Sequence, residues 1–125
     1  MAPIFRYSKK KNTCESSIFG SEYVVLKIAA EKIITLRYKL RMMGVPLEGP
    51  ANAFCDNKSA INITINPESR LSKKNISIAY HKCKECFAAG IMDLYFQFTD
   101  DNFADFFAKV LTVLKRKKIF SRFFP

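Results

Sequence analysis

The sequence predicts an α/β fold, a small sheet layered with helices and including some parallel pairing. Two patterns carry this. Residues 17–43 place Leu26, Ala29, Ala30, Ile33, Leu36, Leu40 and Met43 at three- and four-residue spacing, the mark of a helix with one buried stripe. Residues 91–98 alternate Met92, Leu94, Phe96 and Phe98 with Asp93, Tyr95 and Gln97, the period of a strand with one face in a core. Strands alternating with helices along a chain build layered α/β sheets.

The other elements follow from local signals. Residues 4–7, Ile-Phe-Arg-Tyr, read as a short strand, and 8–12 as a basic loop. Ser17 or Ser21 can cap the long helix, and Lys27, Glu31, Thr35 and Lys39 fall on its other face. Gly44 suits the left-handed turn that ends a helix, and Pro46 cannot continue one. Residues 51–55 read as a strand ending at Asp56-Asn57, and 59–65 as a short helix stopped by Pro67. A polar, basic loop covers 68–74, and a second helix 76–89 ends at Gly90. Asn102 can cap a helix over 103–111, and Lys115-Arg116-Lys117-Lys118 leads into a basic and aromatic tail at about 112–125. With three strands the sheet would be small and would keep an open edge.

One domain is the expectation for 125 residues, 49% of them hydrophobic. No apolar run approaches the roughly 20 residues of a membrane span, so no membrane partner is expected. The N-terminus lacks the apolar segment of a secretory signal. Cys14, Cys55, Cys83 and Cys86 are therefore expected as reduced thiols in a cytoplasmic or nuclear protein. Asn57-Lys-Ser, Asn62-Ile-Thr and Asn75-Ile-Ser then match the glycosylation pattern only incidentally. The net charge is +10, from 21 Lys and Arg against 11 Asp and Glu. That balance permits a polyanion partner, nucleic acid first among them, or simply a well-solvated surface.

Three carboxylates stand out by position: Glu22 near the start of the long helix, Asp56 at a strand end, and Asp105 in a late helix. Sites in α/β folds collect at strand ends and neighbouring helix starts. Carboxylates gathered there would repel unless cations held them, and oxygen ligands suit Mg²⁺ or Mn²⁺. Each also has a plainer reading: Glu22 and Asp105 favour a helix dipole, and Asp56 caps the next helix.

The words around these residues resemble Copia-type retrotransposon ribonuclease H, the C-terminal part of a Pol polyprotein. Ser-Ser-Ile-Phe-Gly-Ser-Glu-Tyr-Val-Val-Leu-Lys (16–27) resembles the family's helix after its third strand, with the catalytic Glu at Glu22. Leu-Arg-Tyr-Lys-Leu-Arg-Met-Met-Gly-Val-Pro-Leu-Glu-Gly-Pro (36–50) is similar to the end of that helix and its loop. Phe-Cys-Asp-Asn-Lys-Ser-Ala (54–60) resembles the next strand end, with its metal-binding Asp at Asp56. Tyr80-His81 and Asn-Phe-Ala-Asp-Phe-Phe-Ala-Lys-Val-Leu (102–111) follow in family order, the latter placing the last carboxylate at Asp105.

The resemblance implies a mixed sheet flanked by helices and cleavage of RNA in an RNA–DNA hybrid with two Mg²⁺ or Mn²⁺ ions. Glu22, Asp56 and Asp105 would be catalytic and hold the metals, and Asn57, Ser59, His81 and Lys109 would meet the substrate. The positive surface would hold the hybrid's backbone, since A-form duplexes are read mainly by shape and backbone. The family pattern begins two strands earlier, with an Asp that has no counterpart here. The expectation is a partial domain, missing two strands, with weakened metal binding and little or no nuclease activity. Arg6 for the usual Trp, Asn75 for a frequent His, and Ala108 and Val110 for a usual Thr and Pro point the same way. The alternative is a basic nucleic-acid or protein binding module without catalysis. Self-association through apolar surface that the missing strands would cover is a further expectation.

Two other features carry weaker signals. Cys83-Lys-Glu-Cys86 lacks the second pair that a structural zinc site needs, and reads as surface or half-buried thiols. The 115–118 cluster reads as a nuclear-import signal, a phosphate contact or a solvated end.

Overall fold

The computed structural model describes residues 7, 18–68, 76–104 and 110–123. The chain divides into two compact units, residues 15–96 and residues 1–14 with 97–125. The strand expected at 4–7 lies outside the described residues except for Tyr7, which belongs to no regular element.

In the larger unit the order is α1 (Ile18–Met42), β1 (Ala51–Cys55), α2 (Lys58–Ile65), α3 (Ser77–Ala88) and β2 (Met92–Phe96). β1 and β2 pair in parallel, Ala51 opposite Met92 through Cys55 opposite Phe96. Parallel strands need a long crossover, and α2 and α3 supply it. These helices pack on β2 and on each other, and α1 packs on both. Tyr23, Leu26, Ala30, Ala60, Ile61, Ala79, Tyr80, Cys83, Cys86, Met92 and Leu94 form one core between the helices and one sheet face. The other face carries Asn52, Phe54 and Tyr95 exposed, with Asp93 half-buried. The architecture is thus mixed α/β, with a two-stranded parallel sheet among the described residues.

Two helix ends share one device. Gly44 (φ +76°) and Gly90 (φ +66°) take the left-handed conformation. Gly44 N–H then reaches Arg41 O and Val45 N–H reaches Leu40 O, while Gly90 N–H reaches Phe87 O and Ile91 N–H reaches Cys86 O. Both satisfy the last carbonyls of a helix in the paired pattern a left-handed glycine permits. The second turn also aims the chain into β2, where Ala51 N–H meets Ile91 O at 3.0 Å.

Three expectations are corrected. The stripe of α1 is buried only from Tyr23 to Ala30, with Ile33 and Ile34 partly covered, whereas Leu36 is exposed and Met43 is 69% exposed. A 25-residue helix runs about 37 Å, while five-residue strands span about 17 Å, so the last turns overhang their support. Second, β2 stops at Phe96; Phe96 is 36% and Phe98 68% exposed, because β1 ends at Cys55 and offers no ladder further on. Third, Cys83 and Cys86 are buried core residues, on the inward stripe of α3 with Ala79 and Tyr80.

In the smaller unit a 3₁₀ turn, Thr99–Asp101, precedes Asn102, whose side chain accepts the Ala104 N–H at 3.0 Å. The helix expected at 103–111 falls largely outside the described residues, and Val110 and Leu111 are not helical. The expected tail is instead a helix, α4 (Val113–Phe123), tied down by its own cations. Lys115 Nζ meets Asp100 and Lys118 Nζ meets Asp101, each at 2.8 Å. Ile119 is buried between these pairs, and the Arg122 guanidinium lies 5.7 Å from the Phe103 ring centre. Those pairs hold both aspartates below the ordinary carboxylate range, the lysine hydrogen bonds being the chief cause. Arg116 also donates to Leu111 O at 3.2 Å, so three of the four residues of the basic cluster are engaged within the chain. Among the described residues, no helix is long and apolar enough to cross a membrane.

Candidate functional site

Glu22 is positioned by its neighbour. Tyr23 is fully buried, and its hydroxyl hydrogen-bonds Thr64 Oγ1 of α2. The Thr64 hydroxyl gives its one proton to Ala60 O at 2.8 Å, so Tyr23 is the donor. Burial pushes the Tyr23 phenol up to about 12. The contact fixes α1 against α2 and sets Glu22, one residue earlier and half-buried, facing the β1–α2 junction. Glu22 is the fifth residue of α1, beyond its first turn, so a dipole role does not account for it.

The junction is built by Asn57. Its Oδ1 accepts the Ala60 N–H at 3.1 Å and caps α2. Its Nδ2 donates to Glu22 Oε2. The cap is therefore Asn57 and not Asp56, which corrects the plainer reading of that aspartate. Asp56 stands exposed between strand and cap. The two carboxylates share a neighbour: the Cys55 thiol is pushed up by burial first, and also by the charges of Asp56 and Glu22, against a lowering hydrogen bond from Asn57 N–H. Glu22 and Asp56 thus act on one corner, at the C-terminal end of β1.

Hard oxygen donors of this kind suit Mg²⁺ or Mn²⁺, but two carboxylates with one oxygen spent on an amide make an incomplete set. Among the described residues, no three His, Cys, Asp or Glu side chains are grouped to hold a metal ion. Asp105 and Lys109 lie outside the described residues. Ser59 is exposed in the first turn of α2. His81 is exposed on α3, its ring edge-on to Tyr80 at 5.0 Å. Cys83 is fully buried in the core, and that burial is the chief cause that holds its thiol up at about 12.

Comparison with known proteins finds a distant relative. Over 110 residues the chain is 26% identical to the retrovirus-related Pol polyprotein from transposon RE2 of Arabidopsis thaliana. The match covers 88% of this chain and 8% of that protein, so the chain spans less than a tenth of its relative's length. This likeness supports an origin in a retrotransposon Pol polyprotein. No family model matches the chain. No solved structure matches it.

Sequence reasoning found Glu22, Asp56 and Asn57 but missed Tyr23, Thr64 and Cys55. Tyr23 begins the three- and four-residue stripe continued by Leu26 and Ala30, and that spacing was the available signal. Thr64 carried none, since a threonine in a short helix is usually exposed.

Proposed function

We propose that this chain is the carboxylate-bearing part of a Copia-type retrotransposon ribonuclease H, whose substrate class is the RNA strand of an RNA–DNA hybrid. The observation that carries the reading is the corner at the end of β1, where Asn57, the residue after Asp56, donates its Nδ2 to Glu22 Oε2 and so brings the α1 carboxylate to that strand end. A parallel strand pair with helices on one face supports the ribonuclease H-like fold. The Pol likeness supports its origin. On this reading Asp105 joins Glu22 and Asp56 as the third ligand. A pair of Mg²⁺ or Mn²⁺ ions, when bound there, supplies positive charge to the attacking and leaving oxygens of a phosphodiester. Asn57 orients Glu22, and Ser59, His81 and Lys109 contact the hybrid. A cytoplasmic or nuclear setting fits reduced thiols.

These 125 residues hold three of the family's four carboxylates, so alone they are expected to bind a hybrid and cleave it feebly or not at all. The test is cleavage of an end-labelled RNA–DNA hybrid with Mg²⁺ or Mn²⁺. It uses this chain and a version preceded by the two strands a related element places ahead of this segment. The extended chain should cleave, and Asp56→Asn within it should lower the rate at least about a hundredfold, the scale of losing a charge-stabilising group. Extended protein that folds and binds hybrid without cleaving would remove the nuclease reading. The second reading, a binding module without catalysis, would then stand; the engagement of Glu22 by Asn57 favours it.

A further inference from the structure

We propose that the face of the β1–β2 pair on which Phe54 and Tyr95 are exposed binds unpaired nucleobases of single-stranded nucleic acid, with these two rings as the stacking surface. The inference goes beyond the carboxylate corner and needs none of its residues.

Phe54 and Tyr95 are in-register partners on adjacent parallel strands. Their ring centres lie 5.9 Å apart, with the planes 37° apart. They are 58% and 47% exposed, although aromatic rings in a small α/β protein usually lie in the core. Two residues earlier on each strand, Asn52 and Asp93 stand opposite each other on the same face. The result is a pair of rings beside an amide and a carboxylate, on a face where no helix of the larger unit packs.

The chemistry selects the occupant. A second copy brings another +10 charge, which opposes face-to-face pairing. A polyanion is attracted by the same charge. On this face, however, Asp93 repels phosphate, so the groups it can accept are bases, with the backbone held by cations elsewhere on the chain. Stacking on exposed aromatic rings is tolerant of sequence, because every base has a π-face. Asn52 and Asp93 can hydrogen-bond base edges, the carboxylate favouring bases that offer amino donors. Paired bases in a duplex have their faces covered, so single strands fit this surface.

The chain has no tryptophan, which makes the test direct. Tyr95→Trp introduces one indole on the proposed surface. Titration with short unlabelled oligodeoxycytidylate, whose bases carry an amino donor, should quench its emission. In parallel, fluorescence anisotropy of the labelled oligonucleotide should show Phe54→Ala and Tyr95→Ala each weakening binding about tenfold or more at fixed salt. Circular dichroism confirms that the variants fold. Binding unchanged in both alanine variants would mean attachment by charge alone and overturn the proposal. An indole already shielded from iodide without nucleic acid would mean that another part of the chain covers the face. A dimer in sedimentation that Phe54→Ala dissociates would assign the face to a second copy. Either of these also overturns the proposal.

Discussion

Tyr23 shows how one side chain can serve both folding and the site. Its phenol is the donor to Thr64, and its place beside Glu22 sets the carboxylate against Asn57. Tyr23→Phe should cost about 1–2 kcal/mol in urea denaturation, because it removes one buried hydrogen bond and keeps the ring. The same residue makes stability depend on alkaline pH. Tyr23 and Cys83 both hold their protons more tightly folded than unfolded, each at about 12. The unfolded chain therefore loses those protons first as pH rises. Stability is fully present below about pH 9 and falls progressively toward pH 12. Denaturant midpoints measured from neutral to alkaline pH should show this fall, and Tyr23→Phe should flatten the part above about pH 10. Asn57 is the other residue with two tasks. Asn57→Ala should cost about 1 kcal/mol through the lost cap. Asn57→Asp should keep the cap but set a second negative charge against Glu22. Thermal melts of the two, compared at neutral and mildly acidic pH, separate these effects, since only Asn57→Asp should recover when carboxylates are protonated.

At the scale of elements, α1 divides into a supported half and an overhang. Leu26→Ala should cost about 2–4 kcal/mol, because Leu26 is buried in the core cluster that the three helices share with β2. Met42→Gln, 71% exposed in the overhang, should change stability by less than about 0.5 kcal/mol. The pair of urea midpoints checks both figures, and a large loss from Met42→Gln would mean that the overhang is covered. The periodicity of α1 was legible because hydrophobic spacing follows from helix geometry. Where its burial stops was not, since that depends on the length of what it rests on. β2 repeats the point: its alternation to Phe98 is in the sequence, but its end at Phe96 is set by the length of β1.

At the scale of the whole molecule, charge is the dominant feature. The net +10 predicts attraction to nucleic acid that weakens as salt rises, with log affinity falling linearly against log salt concentration. Two of the four cations at 115–118 are paired with Asp100 and Asp101, so the cluster should release fewer counterions than its residue count suggests. Asp100→Asn with Asp101→Asn should remove these two ion pairs and steepen the salt dependence of binding, measured by anisotropy over a salt series. An unchanged slope would show that this cluster does not meet the nucleic acid.

The sequence by itself determined the α/β class, all four helix-and-strand signals of residues 51–96, and the glycines, Gly44 and Gly90, that end α1 and α3. These follow from local backbone preference and side-chain period, which neighbouring residues carry with them. It also singled out Glu22 and Asp56, through their setting in family-like words, as candidates for chemistry. Only the tertiary structure decided that Asn57 rather than Asp56 caps α2 and holds Glu22. It likewise decided that Cys83 and Cys86 are core, and that Phe54 and Tyr95 stand exposed side by side on one sheet face. Those outcomes join residues far apart in the chain, and their partners are set by packing distances that no local pattern encodes.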